Sequence, residues 1–442
     1  MGAAIIVLSA MTLCLFSIPG AIAGILSWVP APSLVGALTT GSAFRAGAAL
    51  ALFFCTFMFG RFFCSFLCPL GTSQDIIALL VPERQSRVPN LRLLRYGVLF
   101  LSLALLAGGW ALAFGILDPF SRFGALAAAA GRGADASAFG LAAPPALALL
   151  VVWKRRLFCV SLCPVGTLLG LLSRHGVYGM RITGACTRCG LCERRCPTSC
   201  IESAGRSLDN ERCLLCLNCL SACPGRSIAY TRRSSPPPPE PGGVSRRGFL
   251  LVSAAAGIGA LGVGRGLAGA VRALALTAEN MEGAVLPPGA LKAELFVGRC
   301  TGCRICSLHC PPGIIKASPL GFAPVRLDYS QSGCAYECTA CNGVCPSGAL
   351  RPLALADKQW LKIGEAEYER DKCRVVRYGE PCGACARACP KGAIFLEDGP
   401  NGLRIPVVAA YHCIGCGACR AACPGRPKAM AVKPIEQRPM GS

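Results

Sequence analysis

The stretch that decides the fold runs from Cys186 to Cys223, with CTRCGLCERRCP at 186–197 and CLLCLNCLSACP at 213–224. Each half carries three cysteines at two-residue spacing, then a fourth cysteine followed by proline. Two-residue spacers let three thiolates reach three iron corners of one 4Fe–4S cube, while the fourth cysteine ligates the neighbouring cube. The spacing therefore predicts two clusters held crosswise. Their ligands are Cys186, Cys189, Cys192 and Cys223 for cluster A, and Cys213, Cys216, Cys219 and Cys196 for cluster B.

Zinc is the alternative for this stretch, because paired Cys-x2-Cys motifs also bind zinc. A zinc site takes four ligands and needs neither the third cysteine of each run nor the Cys-Pro ending. The pattern therefore favours iron–sulfur clusters.

Four further quartets lie between residues 290 and 442, and each ends in a cysteine followed by proline. Two of them carry a longer first spacer, of three and of eight residues, which relaxes only the first ligand. We therefore expect four more clusters. Nested pairing, first quartet with fourth and second with third, suits the irregular middle two, and sequential pairing is also open. The quartets are Cys300, Cys303, Cys306, Cys310; Cys334, Cys338, Cys341, Cys345; Cys373, Cys382, Cys385, Cys389; and Cys413, Cys416, Cys419, Cys423.

The composition is that of a membrane protein, with 53% apolar and 15% charged residues in 442. The formal charge of +22 would ordinarily suggest a nucleic-acid partner. A cube with four thiolates carries roughly −2, so six cubes would remove about 12 of those charges. We therefore expect no nucleic-acid partner.

Four apolar runs, at 3–29, 43–60, 93–117 and 136–153, approach the roughly 20 residues that span a bilayer. They predict a four-helix membrane domain over residues 1–175. A cytoplasmic two-cluster ferredoxin domain of α+β class follows at 176–233. Basic residues flank the runs on one side, which indicates by the positive-inside rule that the N-terminus and residues 176–247 are cytoplasmic.

This helical region contains a tandem repeat: RFFCSFLCPLGT at 61–72 and RLFCVSLCPVGT at 156–167 agree at eight of twelve positions. Repeats of two helices pack about a common axis, which predicts that their cysteines lie close together. The thiols could bind a further cluster or form a redox-active pair. A structural turn with small buried cysteines is the favoured alternative. The cysteines are Cys64, Cys68, Cys159 and Cys163.

A proline-rich linker with a twin-arginine motif occupies residues 234–247. The motif, SRRGFL at 245–250, is typical of export signals for folded, cofactor-loaded domains. Residues 248–272 are predicted to be a fifth transmembrane helix or uncleaved anchor. Residues 273–442 are then expected to form a periplasmic four-cluster ferredoxin domain, also of α+β class, on a chain held in the bacterial inner membrane.

The remaining polar and thiol residues give weaker indications. Arg61, Asp75, Arg156 and His175, near the predicted membrane interface, could line a quinone site. No Cys-x2-Cys-His haem motif, Rossmann fingerprint or P-loop is found, and no catalytic residues are named. The leftover cysteines are expected to be membrane or surface thiols, and they are Cys14, Cys55 and Cys200.

These motifs resemble a known pair of proteins. Residues 1–230 resemble NapH, with four helices, two Cys-x3-Cys-Pro motifs and a two-cluster ferredoxin, and residues 244–442 resemble NapG. MauN and MauM are similarly close. The resemblance implies electron transfer from the membrane quinol pool to a periplasmic cytochrome or oxidoreductase. Two other functions stay open: a redox-sensing maturation or regulatory protein for a periplasmic oxidoreductase, and a wire subunit among the subunits of a larger respiratory complex.

Overall fold

The computed structural model describes residues 43–79, 87–108, 111–132, 138–183, 186–233, 283–290, 292–317, 324–399 and 402–440. These residues form a helical unit and three small α+β modules. The predicted apolar run at 3–29, the linker, the fifth helix and Cys14 lie outside the described residues. The domain boundaries stay predictions.

The helical unit covers residues 43–174. Its last helix begins cleanly because Pro164 occupies the first helical position, and the Cys163 sulfur accepts the backbone N–H of Gly166 at 3.2 Å. This helix packs against the first and fourth helices of the unit. The helices are α1 (Ala43–Phe59), α2 (Phe62–Phe66), α3 (Pro69–Leu79), α4 (Arg92–Ala107), α5 (Ala111–Leu117), α6 (Pro119–Arg132), α7 (Ala138–Trp153) and α8 (Pro164–Arg174).

The predicted four-helix membrane domain is wrong. None of the described helices combines the length and the apolar character needed to cross a membrane. The apolar run at 93–117 is divided between α4 and α5. The described part of α7 has 16 residues, which at 1.5 Å per residue span about 24 Å, against about 30 Å of hydrocarbon.

The tandem repeat is visible in the backbone. In each copy the second cysteine donates its N–H five residues back, Cys68 to Phe63 O at 2.8 Å and Cys163 to Phe158 O at 2.9 Å. In the second copy this bond belongs to a π-helical turn, Phe158–Leu162. A threonine four residues after each second cysteine then bonds back to its carbonyl oxygen. The two motifs therefore fold alike and turn the chain at the same point.

The first α+β module is closed by antiparallel pairing of its end strands, β1 (Tyr178–Ile182) and β4 (Ile228–Arg232). Between them lie α9 (Leu191–Arg194), the hairpin of β2 (Ile201–Glu202) with β3 (Ser207–Leu208), and α10 (Asn218–Ala222). Pairing of the ends brings the two cysteine runs of the module face to face.

The second module is closed by a bridge between Ala290 and Leu350. Its elements are α11 (Ala293–Arg299), α12 (Ile305–Leu308), the paired strands β5 (Ile315–Lys316) and β6 (Arg326–Leu327), and α13 (Ala340–Gly343).

The third module follows after α14 (Leu355–Gln359) and is closed by β7 (Leu361–Tyr368) with β10 (Met430–Pro439). Inside it lie a 3-10 turn (Arg370–Lys372), α15 (Arg374–Tyr378), α16 (Ala384–Arg387), the pair β8 (Ile394–Asp398) and β9 (Arg404–Val408), and α17 (Ala418–Ala422).

One buried core connects the helical unit with the first two modules. It contains the four repeat cysteines together with Leu214 of the first module and Cys303 and Ile305 of the second. The first and second modules therefore pack against the same helical unit.

Candidate iron–sulfur sites

Three cavities of the described structure are each lined by a complete crosswise quartet. The first is lined by Cys186, Cys189, Cys192 and Cys223, the predicted ligands of cluster A. The other two lie in the second and third modules. They are lined by Cys310 with Cys334, Cys338 and Cys341, and by Cys389 with Cys413, Cys416 and Cys419.

The other three quartets assemble around mutual electrostatic and packing contacts. Cys216 interacts electrostatically with Cys196 and Cys213, and Cys219 interacts with all three, which together are the predicted set for cluster B. Cys345 interacts electrostatically with Cys300, Cys303 and Cys306. Cys373 shares a small core with Cys382 and Cys423, and the eight-residue spacer between Cys373 and Cys382 contains α15. The quartets of residues 300–423 therefore pair sequentially, not in the nested order.

The cysteine loops have a common backbone conformation. In four runs the residues just before and just after the second cysteine both have positive φ. They are Arg188 and Gly190, Leu215 and Leu217, Gly302 and Arg304, and Gly415 and Gly417. For a non-glycine residue this conformation costs of order 1–3 kcal/mol and is typical of binding sites. The run from Cys334 departs from the rule, since Thr339 has φ −123°.

The fourth cysteines accept backbone N–H groups through their sulfur atoms. Because a cluster thiolate carries negative charge, such N–H donors stabilise it. Five of them do so at 3.2 to 3.4 Å: Cys196 from Cys200, Cys223 from Ser227, Cys345 from Leu350, Cys389 from Ala393 and Cys423 from Ala429.

Burial makes several of the other predicted cluster ligands poor thiolates by themselves. Desolvation raises the pKa of Cys300, Cys303 and Cys341 to about 12, and that of Cys216 to about 11. Such thiols hold their protons at neutral pH unless a positively charged iron centre replaces them. The sites therefore suit a metal group that offsets the desolvation.

The arrangement fits a cube. In the described parts of the chain, no three Cys, His, Asp or Glu side chains come together as ligands of one metal ion. A zinc ion would hold its four sulfurs at about 2.3 Å from one point, whereas a cube holds each thiolate on a different iron atom. Quartets that surround a cavity correspond to the second geometry.

Cys200 is a cysteine whose position the sequence did not predict. It is buried, and its sulfur lies 3.4 Å from the sulfur of Cys196, a predicted ligand of cluster B. Hydrogen bonding from the Cys200 thiol holds the pKa of Cys196 well below that of an ordinary thiol. The expected membrane or surface location is wrong for this residue. Its i to i+4 spacing from Cys196 was the available signal.

The quinone site suggested for Arg61, Asp75, Arg156 and His175 stays a prediction. Arg156 forms an ion pair with Asp75 and is fully buried. Arg61 is also fully buried, whereas His175 is exposed at the end of α8, with Nδ1 3.4 Å from Leu171 O. The repeat cysteines, by contrast, come together as predicted in the core shared with the first two modules.

Comparison with known proteins agrees with this geometry. A family described as a 4Fe-4S binding domain matches residues 43–87 and 137–182, which contain the two repeats. A 4Fe-4S dicluster domain matches residues 380–426. No solved structure gives a significant match.

Several curated relatives carry ferredoxin-type names. The methylamine utilization ferredoxin-type protein MauM of Methylobacillus flagellatus is 34% identical over 34% of this chain and 68% of its own length. MauM of Paracoccus denitrificans is 33% identical over 41% of this chain and 83% of its own length. The ferredoxin-type protein NapF of Escherichia coli is 28% identical over 32% and 80%. The resemblance to MauM is confirmed, while the specific likeness to NapH, NapG and MauN stays a prediction.

The described structure thus carries crosswise cysteine quartets in three α+β modules, and the relatives share the ferredoxin-type description. The chain belongs to the ferredoxin-type 4Fe–4S electron-transfer proteins that include the methylamine utilization protein MauM.

Proposed function

We propose that this protein binds six 4Fe–4S clusters and conducts single electrons along them, from a quinol to a periplasmic redox partner. A bound cluster supplies a one-electron redox centre, whose potential depends on its surroundings. The chain's residues bind the clusters, exclude water and hold neighbouring quartets at fixed separations. The quinol and the periplasmic partner follow the family resemblance, and the compartments expected for residues 176–247 and 273–442 stay predictions.

The observation that carries this proposal is the direct contact between quartets of different modules. The backbone N–H of Cys334 donates to the carbonyl oxygen of Cys416 at 2.7 Å. The hydroxyl of Tyr329 donates to Gly415 O at 2.9 Å, and the ring is buried. One backbone hydrogen bond and one bond from a buried tyrosine hydroxyl thus hold the two cysteine loops against each other. Electron transfer from one site to the next is favoured by that proximity.

This contact suggests an order for the clusters of residues 300–423. Entry is at the quartet of Cys300, Cys303, Cys306 and Cys345, which lies against the helical unit. The quartet of Cys334 follows in the same module, then the quartet of Cys413 across the contact. The quartet of Cys373 is the last.

Substitution of Cys341 tests this order. Cys341→Ser should remove the cluster of the Cys334 quartet and lower the iron content by about four from about 24 per chain. The variant is then mixed anaerobically with a reduced quinol analogue and followed by freeze-quench EPR. The rate at which the third-module clusters are reduced should be at least about tenfold lower than in wild type. Cys55→Ser, outside every quartet, is the matched control. Unchanged third-module kinetics in Cys341→Ser, with the iron lost, would contradict the order.

A separate experiment tests whether a quinol is the electron donor. The anaerobic wild-type protein should lose its cluster absorbance with both dithionite and a quinol analogue such as duroquinol. Reduction by dithionite alone would show that the clusters are functional and that the proposed donor is wrong.

A further inference from the structure

We infer that the four cysteines of the two helical repeats hold a seventh 4Fe–4S cluster, which connects the first module to the second. The inference deepens the proposed electron-transfer function and rests on it. We call the four cysteines the repeat site, and they are Cys64, Cys68, Cys159 and Cys163.

The repeat site has the ligand number and type of a cluster site. Each thiol is only 5–6% exposed, and all four belong to one contiguous core. Each repeat contributes two of them from equivalent turns, as the shared hydrogen bonds of the two motifs show. Four thiols from two similar loops is also the composition of each ferredoxin quartet.

Two buried arginines cross between the repeats and point at the sulfurs. Arg61 of the first repeat donates to Cys159 O at 3.2 Å, and its guanidinium lies 4.0 Å from the Cys64 sulfur. Arg156 of the second repeat donates to Cys64 O at 3.4 Å and lies 3.8 Å from the Cys159 sulfur. Both side chains are 1% exposed. The exchange is reciprocal, so both cations face the same thiols.

Glycines at equivalent positions make room for this exchange. A Cβ atom on Gly71 would lie 2.9 Å from Nη1 of Arg156, and one on Gly166 would lie 3.0 Å from Nη2 of Arg61. The same Cβ atoms would lie 2.4 Å from Cys64 O and 2.5 Å from Cys159 O. Any side chain at either glycine would therefore displace an arginine or a cysteine loop.

The charges of the two arginines are unequally balanced within the described chain. Arg156 pairs with the carboxylate of Asp75. The position of the second repeat that corresponds to Asp75 is Gly170, where the carbonyl oxygen of Glu211 approaches instead. Arg61 thus bonds two carbonyl oxygens and a sulfur, and its Nε has no acceptor among the described residues.

A buried guanidinium without a counter-charge is strongly unfavourable. Neutral thiols or a disulfide would not supply that charge. A cube with four thiolates carries roughly −2 and would supply it at the sulfurs that Arg61 and Arg156 already face. The charge balance therefore favours a cluster over a structural turn or a redox-active dithiol.

The repeat site lies between the ligands of two other quartets. On one side the hydroxyl of Ser65 donates to Leu214 O at 2.7 Å, next to Cys213 of cluster B. On the other side a Cβ on Gly124 would lie 2.7 Å from Cys303 O, and Cys303 shares the core of the repeat site. One electron arriving from cluster B would reduce the seventh cluster from the 2+ to the 1+ state. The same electron would leave to the quartet of Cys303, with no bond or proton change.

The iron and acid-labile sulfide contents of the anaerobically purified full chain test this inference. The quadruple variant Cys64→Ser/Cys68→Ser/Cys159→Ser/Cys163→Ser should contain about four iron fewer than wild type, and Cys55→Ser should lose none. Equal iron in wild type and the quadruple variant would overturn the inference. The six proposed clusters are tested independently, by the iron that remains in the quadruple variant. About 24 iron per chain there, with about 28 in wild type, would support all six, and fewer than about 24 would contradict that number.

A second variant decides the matter should the quadruple variant lose most of its iron by misfolding. Arg61→Gln should lower the midpoint potentials of two clusters in an EPR-monitored redox titration: cluster B, whose predicted ligand Cys213 Arg61 also influences, and the cluster of the repeat site. Arg61→Lys should restore most of the shift, and the exposed Arg232→Gln should cause none. A shift confined to cluster B, which is the cluster lost in Cys219→Ser, or midpoint potentials that are all unchanged, would overturn the inference.

Discussion

The helical unit holds its two neighbouring modules by different means. The first module docks through charges: Glu211 pairs with the buried Arg95, bonds the hydroxyl of Tyr96 and lies 3.6 Å from Arg174. In addition, Arg212 donates to Val88 O at 2.9 Å.

The second module docks by close backbone packing. A Cβ atom on Gly115 would lie 2.0 Å from Thr301 O, and one on Gly302 would lie 2.6 Å from a methyl carbon of Leu112. Gly124 approaches Cys303 in the same way. Glycines here let α5 and α6 reach the cysteine loop.

The difference indicates what each contact tolerates. A buried ion pair loses most when one partner is removed, since the other charge stays buried and uncompensated. A close-packed backbone contact loses most when volume is added. The following four predictions separate the two, from the largest expected effect to the smallest.

Removal of the Glu211 carboxylate should have the largest effect. Glu211→Ala leaves Arg95 buried without its partner and should destabilise the first-module contact by about 3–5 kcal/mol. The thermal loss of cluster absorbance and the rate of limited proteolysis at residues 176–233 measure this. Glu202→Ala, an exposed carboxylate of the same module, is the control, and equal stability of the two variants would show that the charged contact is unimportant.

Asp118, at the start of α6, should make the stability of the protein depend on pH. Burial raises the pKa of Asp118 from 3.8 to about 6, against the opposing effect of the Ser121 and Phe120 N–H groups and Arg122. With a raised folded-state pKa, its contribution to stability is complete below about pH 4 and is lost as pH rises through 6. Asp118→Asn should therefore stabilise the protein by of order 3 kcal/mol above pH 6, and progressively less towards pH 4.

Denaturant unfolding at pH 5 and pH 7.5 measures this effect. Asparagine can still accept the Ser121 N–H as a helix cap, so the cap itself is retained. A gain that is the same at both pH values would contradict the assigned pKa.

Added volume should weaken the second-module contact. Gly115→Ala and Gly124→Ala should each cost about 1–3 kcal/mol, because backbone atoms must move. Gly97→Ala is the control, since its Cβ would meet nothing within 4 Å in the interior of α4. That control should gain up to about 1 kcal/mol from helix propensity. Hydrogen exchange of α11 and α12 measures the loss, and equal protection in all three variants would contradict close packing.

Loss of a single exposed hydrogen bond should have the smallest effect. The hydroxyl of Tyr230 donates to Phe59 O at 2.8 Å, between the first module and α1. Tyr230→Phe should cost about 0.5–1.5 kcal/mol in thermal stability, with the ring stacking on Tyr178 retained. The exposed Tyr378→Phe should be neutral, and a larger loss there than in Tyr230→Phe would contradict the contact.

Much of the site could be predicted because cluster ligation is locally encoded. Three cysteines at two-residue spacing surround one cube through short-range geometry, so Cys186, Cys189 and Cys192 could be assigned from spacing alone. The crosswise fourth ligand, Cys223, also followed from the motif. The tandem repeat predicted the assembly of Cys64, Cys68, Cys159 and Cys163 from sequence identity.

Helix length was not encoded in the same way. The apolar runs predicted membrane helices because hydropathy counts composition and does not specify where a helix begins and ends; within the described residues, the run at 93–117 is divided between α4 and α5. The burial of Cys200 against Cys196 likewise required the fold of the module.

By itself the sequence identified the cysteine quartets that are predicted to bind clusters, since ligand spacing acts over a few residues. Only the tertiary structure decided how the quartets of residues 300–423 pair and what surrounds Arg61. These depend on strand closure, β7 with β10 and Ala290 with Leu350, and on the docking of Glu211 at Gly170. Contacts between residues far apart in the chain are set by packing of whole elements, which no local spacing specifies.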